Sequence, residues 1–100
     1  MTIRWLAVAL AGAAMPVLAA DHTIVIDGTA FAPAAVTVQR GDRVTWLNKD
    51  PFPHTATARG AFDSGPIAAD ASWTWVAGKA GAYDYVCTLH PTMKARLVVR

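Results

Sequence analysis

After residue 20 the chain alternates apolar and polar residues in short runs separated by turn-forming residues. In Arg43-Val44-Thr45-Trp46-Leu47-Asn48 the alternation puts Val44 and Trp46 on one face, as in a half-buried strand. Similar runs are His22–Ile26, Val36–Gln39, Ser72–Val76, Ala82–Cys87 and Ala95–Val99. In Ser72–Val76, Trp73 competes with Trp75 or Val76 for the inward face. Asp27-Gly28, Gly41-Asp42, the stretch Phe62–Pro66, and Gly78 with Gly81 mark turns. Pro51 and Pro53 make Asp50–Pro53 a rigid loop, because neither can sit in a central strand. Extended structure resumes at His54–Thr57. Val, Ile, Thr, Trp and Tyr dominate the periodic segments, so a helical reading fits poorly. The pattern predicts an all-β sandwich of about seven to eight short strands, with no internal repeat, low-complexity stretch or linker.

The first 20 residues read differently. Met1–Arg4 carries one positive charge, Trp5–Ala20 carries none, and the run ends in Pro16-Val17-Leu18-Ala19-Ala20. That order is a positive n-region, an apolar h-region and small residues suited to cleavage. Residues 1–19 are therefore read as a signal peptide and 20–100 as one domain, with a break after Ala20 as the second choice. A membrane anchor is the rival. The apolar run is shorter than the roughly 20 residues a spanning helix needs, and Pro16 interrupts it. The expected location is the periplasm of a bacterium, with no membrane span in the mature form. Without Arg4, eight basic residues face seven acids, all of them Asp. A net charge this close to neutral argues against nucleic acid as the partner. A domain this small buries a modest share of its surface, so a bound metal would help hold it.

Cys87 is the single cysteine, so no disulfide can form within the chain. A free thiol in an exported protein risks oxidation. A buried inert cysteine is the bland reading, but its neighbours point elsewhere. Cys87-Thr88-Leu89-His90-Pro91-Thr92-Met93 sets a thiolate, an imidazole and a thioether at the end of a predicted strand, in what reads as a loop. His54 can come from the Pro51–Pro53 loop on a neighbouring strand. Thiolate and thioether favour Cu(I), and imidazole serves both oxidation states. Two histidines and a cysteine with a weak axial methionine form the arrangement used for electron transfer. Zinc is the rival metal, but its structural sites take four Cys and His ligands, and Met suits it poorly. His22 is expected to be solvated.

On these residues the chain resembles the cupredoxins, small blue copper proteins, and within their plastocyanin-like group most closely the amicyanins. The resemblance spans nearly all of the domain. Phe31-Ala32-Pro33 through Trp46-Leu47-Asn48 matches the family's Phe-x-Pro, alternating valines, Gly-Asp and Trp-x-Asn. Pro53-His54 matches its first ligand, Phe62–Gly65 resembles the turn that follows, and Ala80–Cys87 matches the strand into the ligand loop. Cys87-x-x-His90-Pro91-x-Met93 has the short amicyanin spacing. The resemblance implies a Greek-key sandwich and one type 1 copper held by His54, Cys87, His90 and Met93. It also implies a hydrogen bond from Asn48 across to the ligand loop near Thr88. Electrons would pass through an exposed His90 edge, ringed by an apolar patch of Phe52, Pro53, Leu89 and Pro91, with Pro51 near it.

The expected function is that of a periplasmic one-electron carrier, not an enzyme. Its expected partners are redox proteins, a c-type cytochrome or a dehydrogenase or other oxidoreductase, and a monomer is expected. The alternative is a copper-binding or delivery protein for copper homeostasis. Such proteins often carry Met/His-rich tracts, whereas Met1 and Met15 lie in the signal and leave only Met93. Copper-enzyme chemistry would need a second centre, for which only His22 is spare.

Overall fold

The computed structural model describes residues 18–100; the n-region and most of the apolar run lie outside the described residues. Among the described residues nine strands form two sheets: β1 (Asp21–Ile26), β2 (Phe31–Ala32), β3 (Ala35–Val38), β4 (Arg43–Asn48), β5 (Thr57–Ala58), β6 (Phe62–Asp63), β7 (Ser72–Val76), β8 (Gly81–Cys87) and β9 (His90–Val99). One sheet runs β2-β1-β4-β7 and the other β3-β9-β8-β5-β6. The all-β sandwich expected from the alternation is the fold observed.

The core lies between the two inner faces. Val44 and Trp46 are fully buried, as the period of two requires, opposite Tyr85, Cys87 and Leu97 from the other sheet. Trp46 packs edge-on to Tyr85 with centroids 5.5 Å apart, and Phe62 sits 5.3 Å from Trp46 and 4.7 Å from Trp75. On β7 the inward positions go to Trp73 and Trp75, which are half-buried, while Val76 is exposed.

Each sheet holds one parallel pairing. β1 lies beside β4 from Asp21↔Arg43 to Ile26↔Asn48, and β3 beside β9 from Ala35↔Arg96 to Val38↔Val99. β2 and β6 are two residues each, too short to show a period. The run expected over His54–Thr57 is mostly loop: His54 makes an isolated bridge to Ile67, and β5 begins only at Thr57.

The largest departure is at β9. Its first residues were expected to form a loop, but the strand begins at His90, directly after a turn at Thr88-Leu89. Cys87 pairs with His90, and the register shifts between Val86 and Cys87. Pro91 is tolerated because β3 pairs with β9 only from Arg96 onward, so no third strand needs its missing N–H.

Candidate metal centre

The segment between β4 and β5 carries the first candidate ligand, and it is folded by its own polar side chains. Asn48, fully buried at the end of β4, donates from Nδ2 to the carbonyls of Phe52 and Ile67, both at 2.9 Å. Its Oδ1 accepts the amide of Asp50 at 2.9 Å. Asn48 thus closes its own loop and ties it to Ile67, whose backbone exchanges both bonds with His54 (3.2 and 2.7 Å).

This corrects the expected bond from Asn48 to the region of Thr88. Thr55 makes that tie instead: its Oγ1 accepts the Thr88 amide at 2.9 Å and lies 3.1 Å from the Thr88 hydroxyl. The amide of Thr55 also points at Cys87 Sγ, 3.3 Å away. The reason is positional. Asn48 is consumed by its own loop, whereas Thr55 is buried immediately after His54 and faces β8.

His54 is completely buried, and its two ring nitrogens have distinct surroundings. Nε2 lies 2.7 Å from Asp50 Oδ2, and Nδ1 lies 3.6 Å from Cys87 Sγ. Asp50 is itself buried, and burial alone would raise its carboxyl pKa. The amides of Thr29 and Gly28, at 2.8 and 2.7 Å, together with the His54 ring, outweigh burial and hold the pKa below its ordinary value. An ionised carboxylate only accepts, so Nε2 carries the proton and donates. Nδ1 is left with its lone pair directed toward the sulfur.

Asp50 also explains a local strain. Gly28 and Thr29, in the turn between β1 and β2, both have left-handed φ, near 61° and 60°. Glycine accepts this freely, whereas threonine does not. The carboxylate that orients His54 holds both of their amides in place.

The remaining candidates come from β8 and β9. Cys87 is a free thiol with no exposure, and Met93 is buried at 3% within the core cluster. The His90 ring is 5.0 Å from that of His54 and half-exposed. Phe52 packs against both imidazoles, at 5.1 Å from His54 and 5.8 Å from His90. Phe52 and Leu89 are 41% and 51% exposed, and Pro51, Pro53 and Pro91 are exposed beside them. A buried imidazole lone pair beside a buried thiol, with a second imidazole alongside, is a donor set suited to a soft or borderline metal ion.

Sequence reasoning missed Asp50 and Thr55. An acid four residues before His54 was the visible signal for the first. For the second it was threonine at alternate positions, 55 and 57, beside a cysteine-threonine pair. His22 was expected to be solvated and is not free: its Nε2 lies 2.9 Å from buried Asp42 Oδ2, and its side chain is only 29% exposed.

A two-sheet β-sandwich with Cys87 and His90 paired across β8 and β9, and His54 delivered from the connection between the two sheets, has counterparts among known proteins. The family described as a Cupredoxin-like domain matches residues 1–99. The protein belongs to this family. It is similar to amicyanin of Paracoccus versutus (30% identical over 87 residues, 80% of this chain and 66% of the relative). Amicyanin of Paracoccus denitrificans is 31% identical over 88 residues, again 80% of this chain and 67% of the relative. The chain thus spans about two thirds of the length of these relatives. Among solved structures, the Cu(I) form of a single-site mutant of amicyanin superposes with a TM-score of 0.77 at 26% identity, covering 85% of this chain and 87% of that one. A copper-containing nitrite reductase from Thermus scotoductus shares the fold alone, with a TM-score of 0.75 at 23% identity over 22% of its length.

Proposed function

We propose that the protein is a periplasmic electron carrier with one type 1 copper ion held by His54, Cys87, His90 and Met93. The observation that carries this reading is the meeting of His54 Nδ1 and Cys87 Sγ at 3.6 Å in a site closed to water, with Nε2 held by Asp50. Copper bound there supplies a one-electron couple between Cu(II) and Cu(I). His54, Cys87 and His90 would hold it strongly and Met93 weakly. The chain's own part is to keep these donors in one geometry in both states. Asp50 fixes the His54 tautomer, and the Thr55 amide donates to the Cys87 sulfur. Thr55 and Thr88 lock the two ligand-bearing segments together. No substrate is transformed.

His90 is the outward edge, and the exposed faces of Phe52 and Leu89, with Pro53 and Pro91, surround it. A small apolar patch suits brief docking to a redox protein, where contact areas are small. The near-neutral charge makes steering by charge weak. Among the described residues no helix is long and apolar enough to cross a membrane. Ala20 supports cleavage after Ala19: its nitrogen donates to Asp42 Oδ1 at 2.9 Å and its carbonyl accepts from Arg43. A break one residue later would lose both bonds.

The test is to add Cu(II) to the purified mature protein. An intense blue thiolate-to-copper band is expected, and a colourless protein with an intact Cys87 thiol would overturn the assignment. Met93→Leu should keep the colour and change the reduction potential; loss of copper binding would show that Met93 is more than an axial ligand.

A further inference from the structure

Beside the site runs a line of hydroxyl groups that ends on a surface carboxylate. Thr88 Oγ1 lies 3.1 Å from Thr55 Oγ1, Thr55 Oγ1 lies 3.0 Å from Thr57 Oγ1, and Thr57 donates to Asp63 Oδ1 at 3.0 Å. Gly65 donates its amide to the same oxygen at 3.0 Å. Thr55 is buried, Thr57 half-buried, and Thr88 and Asp63 exposed.

The direction of every bond follows from the donor inventory. A threonine hydroxyl has one proton and two lone pairs, and a carboxylate has only lone pairs. Thr57 spends its proton on Asp63, so toward Thr55 it can only accept. Thr55 therefore donates to Thr57, and both of its lone pairs face Thr88. They accept the Thr88 amide and the Thr88 hydroxyl. Every donor and acceptor site of the Thr55 hydroxyl is filled, and one carboxylate sets the polarity of the line. Hydrogen bonds in series with one sense strengthen one another, and an ionised acceptor at the end strengthens the first.

We propose that Asp63 is a positioning residue for the metal site, acting through Thr57 and Thr55 on the residue that follows Cys87. Thr55 is the hinge of this coupling. Its side chain receives Thr88 while its amide donates to Cys87 Sγ, so the orientation of its hydroxyl and the hydrogen bond to the sulfur belong to one residue. Hydrogen bonds to a ligating sulfur and its neighbours tune a metal's affinity and potential. Asp63 would thus influence the copper from the surface of β6 without touching a ligand. The effect on copper rests on the electron-carrier reading; the effect on Thr88 does not.

The experiment compares Thr57→Val, Asp63→Ala and Thr57→Ser with Asp84→Ala, which removes another exposed carboxylate, from β8 and outside the line. In the metal-free protein, amide exchange at Thr88 is followed by NMR. Thr57→Val and Asp63→Ala should speed it roughly threefold to tenfold, the range expected when one hydrogen bond is weakened. Thr57→Ser should restore the slow rate, and Asp84→Ala should leave it unchanged. In the copper-loaded protein, Thr57→Val and Asp63→Ala should shift the reduction potential and the charge-transfer band beyond any shift in Asp84→Ala. Unchanged Thr88 exchange in both Thr57→Val and Asp63→Ala would overturn the proposal. So would potential shifts equal to that of Asp84→Ala, since they would reduce the effect to charge at a distance. If the native protein took up no copper yet Thr88 exchange responded as expected, the electron-carrier reading would fail and the coupling would stand.

Discussion

His54 and His22 are held by nearly identical devices, and only one of them faces a sulfur. Each places Nε2 on Oδ2 of a buried aspartate, at 2.7 Å for Asp50 and 2.9 Å for Asp42. Each aspartate accepts two backbone amides as well, from Gly28 and Thr29 in one case and from Ala20 and Gln39 in the other. In both the carboxylate fixes the tautomer and leaves Nδ1 with a lone pair. The surroundings of Nδ1 make the difference. That of His54 meets Cys87 in a closed interior, whereas the His22 ring lies at the rim of the sandwich and makes no second bond among the described residues. The His–Asp pair is therefore a way of holding a ring, and the thiol beside it is what would let His54 serve the proposed metal site. The pair at His22 serves the fold by fastening the start of β1 to the turn before β4.

The sharpest way to break this comparison is to remove the sulfur. Cys87→Ser should abolish the blue band completely, and His22→Ala should leave it at full intensity. Absorption spectra after Cu(II) addition decide the matter. A loss of colour in His22→Ala would mean that the two pairs are not separate in function.

The next largest difference should lie between the two carboxylates. Asp50→Ala strands the fully buried Nε2–H of His54 and leaves the amides of Gly28 and Thr29, in the exposed turn between β1 and β2, without their carboxylate. A loss of about 2–3 kcal/mol in the metal-free protein is expected, since buried donors without acceptors are costly. Asp42→Ala should cost less, because water can reach the edge of the His22 pair. Urea unfolding of both variants gives the order, and an equal or reversed order would contradict the contrast in burial.

Acid should weaken the same bonds. The amides of Ala20 and Gln39, and then the His22 ring, hold the Asp42 carboxyl down to about 2 from its ordinary 3.8. A carboxyl lowered in the folded state contributes stability that is complete above its unfolded value and is lost as pH falls through its folded value. The unfolding free energy should therefore decline between about pH 4 and pH 2, with Asp50 acting in the same direction. Asp42→Asn should flatten the decline, as measured by urea midpoints across that range. An unaltered slope would show that Asp42 is not among the groups that set it.

Much of this was legible in the sequence where a physical rule has a short period. Val44 and Trp46 announce an inward face two residues at a time, and Cys87, His90 and Met93 stand close enough to read as one group. What was hidden depends on long-range partners. Phe31–Ala32 and Phe62–Asp63 are too short to alternate and exist as strands only because a neighbour pairs with them. His90–Met93 reads as loop because of Pro91, and becomes strand because β8 pairs on one side only. Asn48 and Thr55 are both small polar residues near His54. Only the folded loop reveals that Asn48 spends its bonds on Phe52, Ile67 and Asp50, leaving Thr55 to reach Thr88.

The smallest expected effect sharpens the comparison by exception. The carboxylates, His54 and Thr55 are buried polar groups with their partners in place, but the Tyr85 hydroxyl is buried with none. It lies among Phe31, Trp46 and Phe62, and burial pushes its pKa up to about 12. Tyr85 precedes Cys87 by two residues on the same face of β8, so it could be taken for part of the site. Its lack of a partner argues otherwise. Tyr85→Phe keeps the ring packing and removes an oxygen that lies near the Trp46 indole N–H, the other buried polar group without a partner of hydrogen-bond geometry. Deleting an unpaired buried hydroxyl should leave stability unchanged or raise it by up to about 1 kcal/mol. Copper-loaded Tyr85→Phe should also keep the native band and potential. A loss of more than about 1 kcal/mol in urea unfolding would mean that the hydroxyl does have a partner, and its polar role would then rank with those of Asp50 and Asp42.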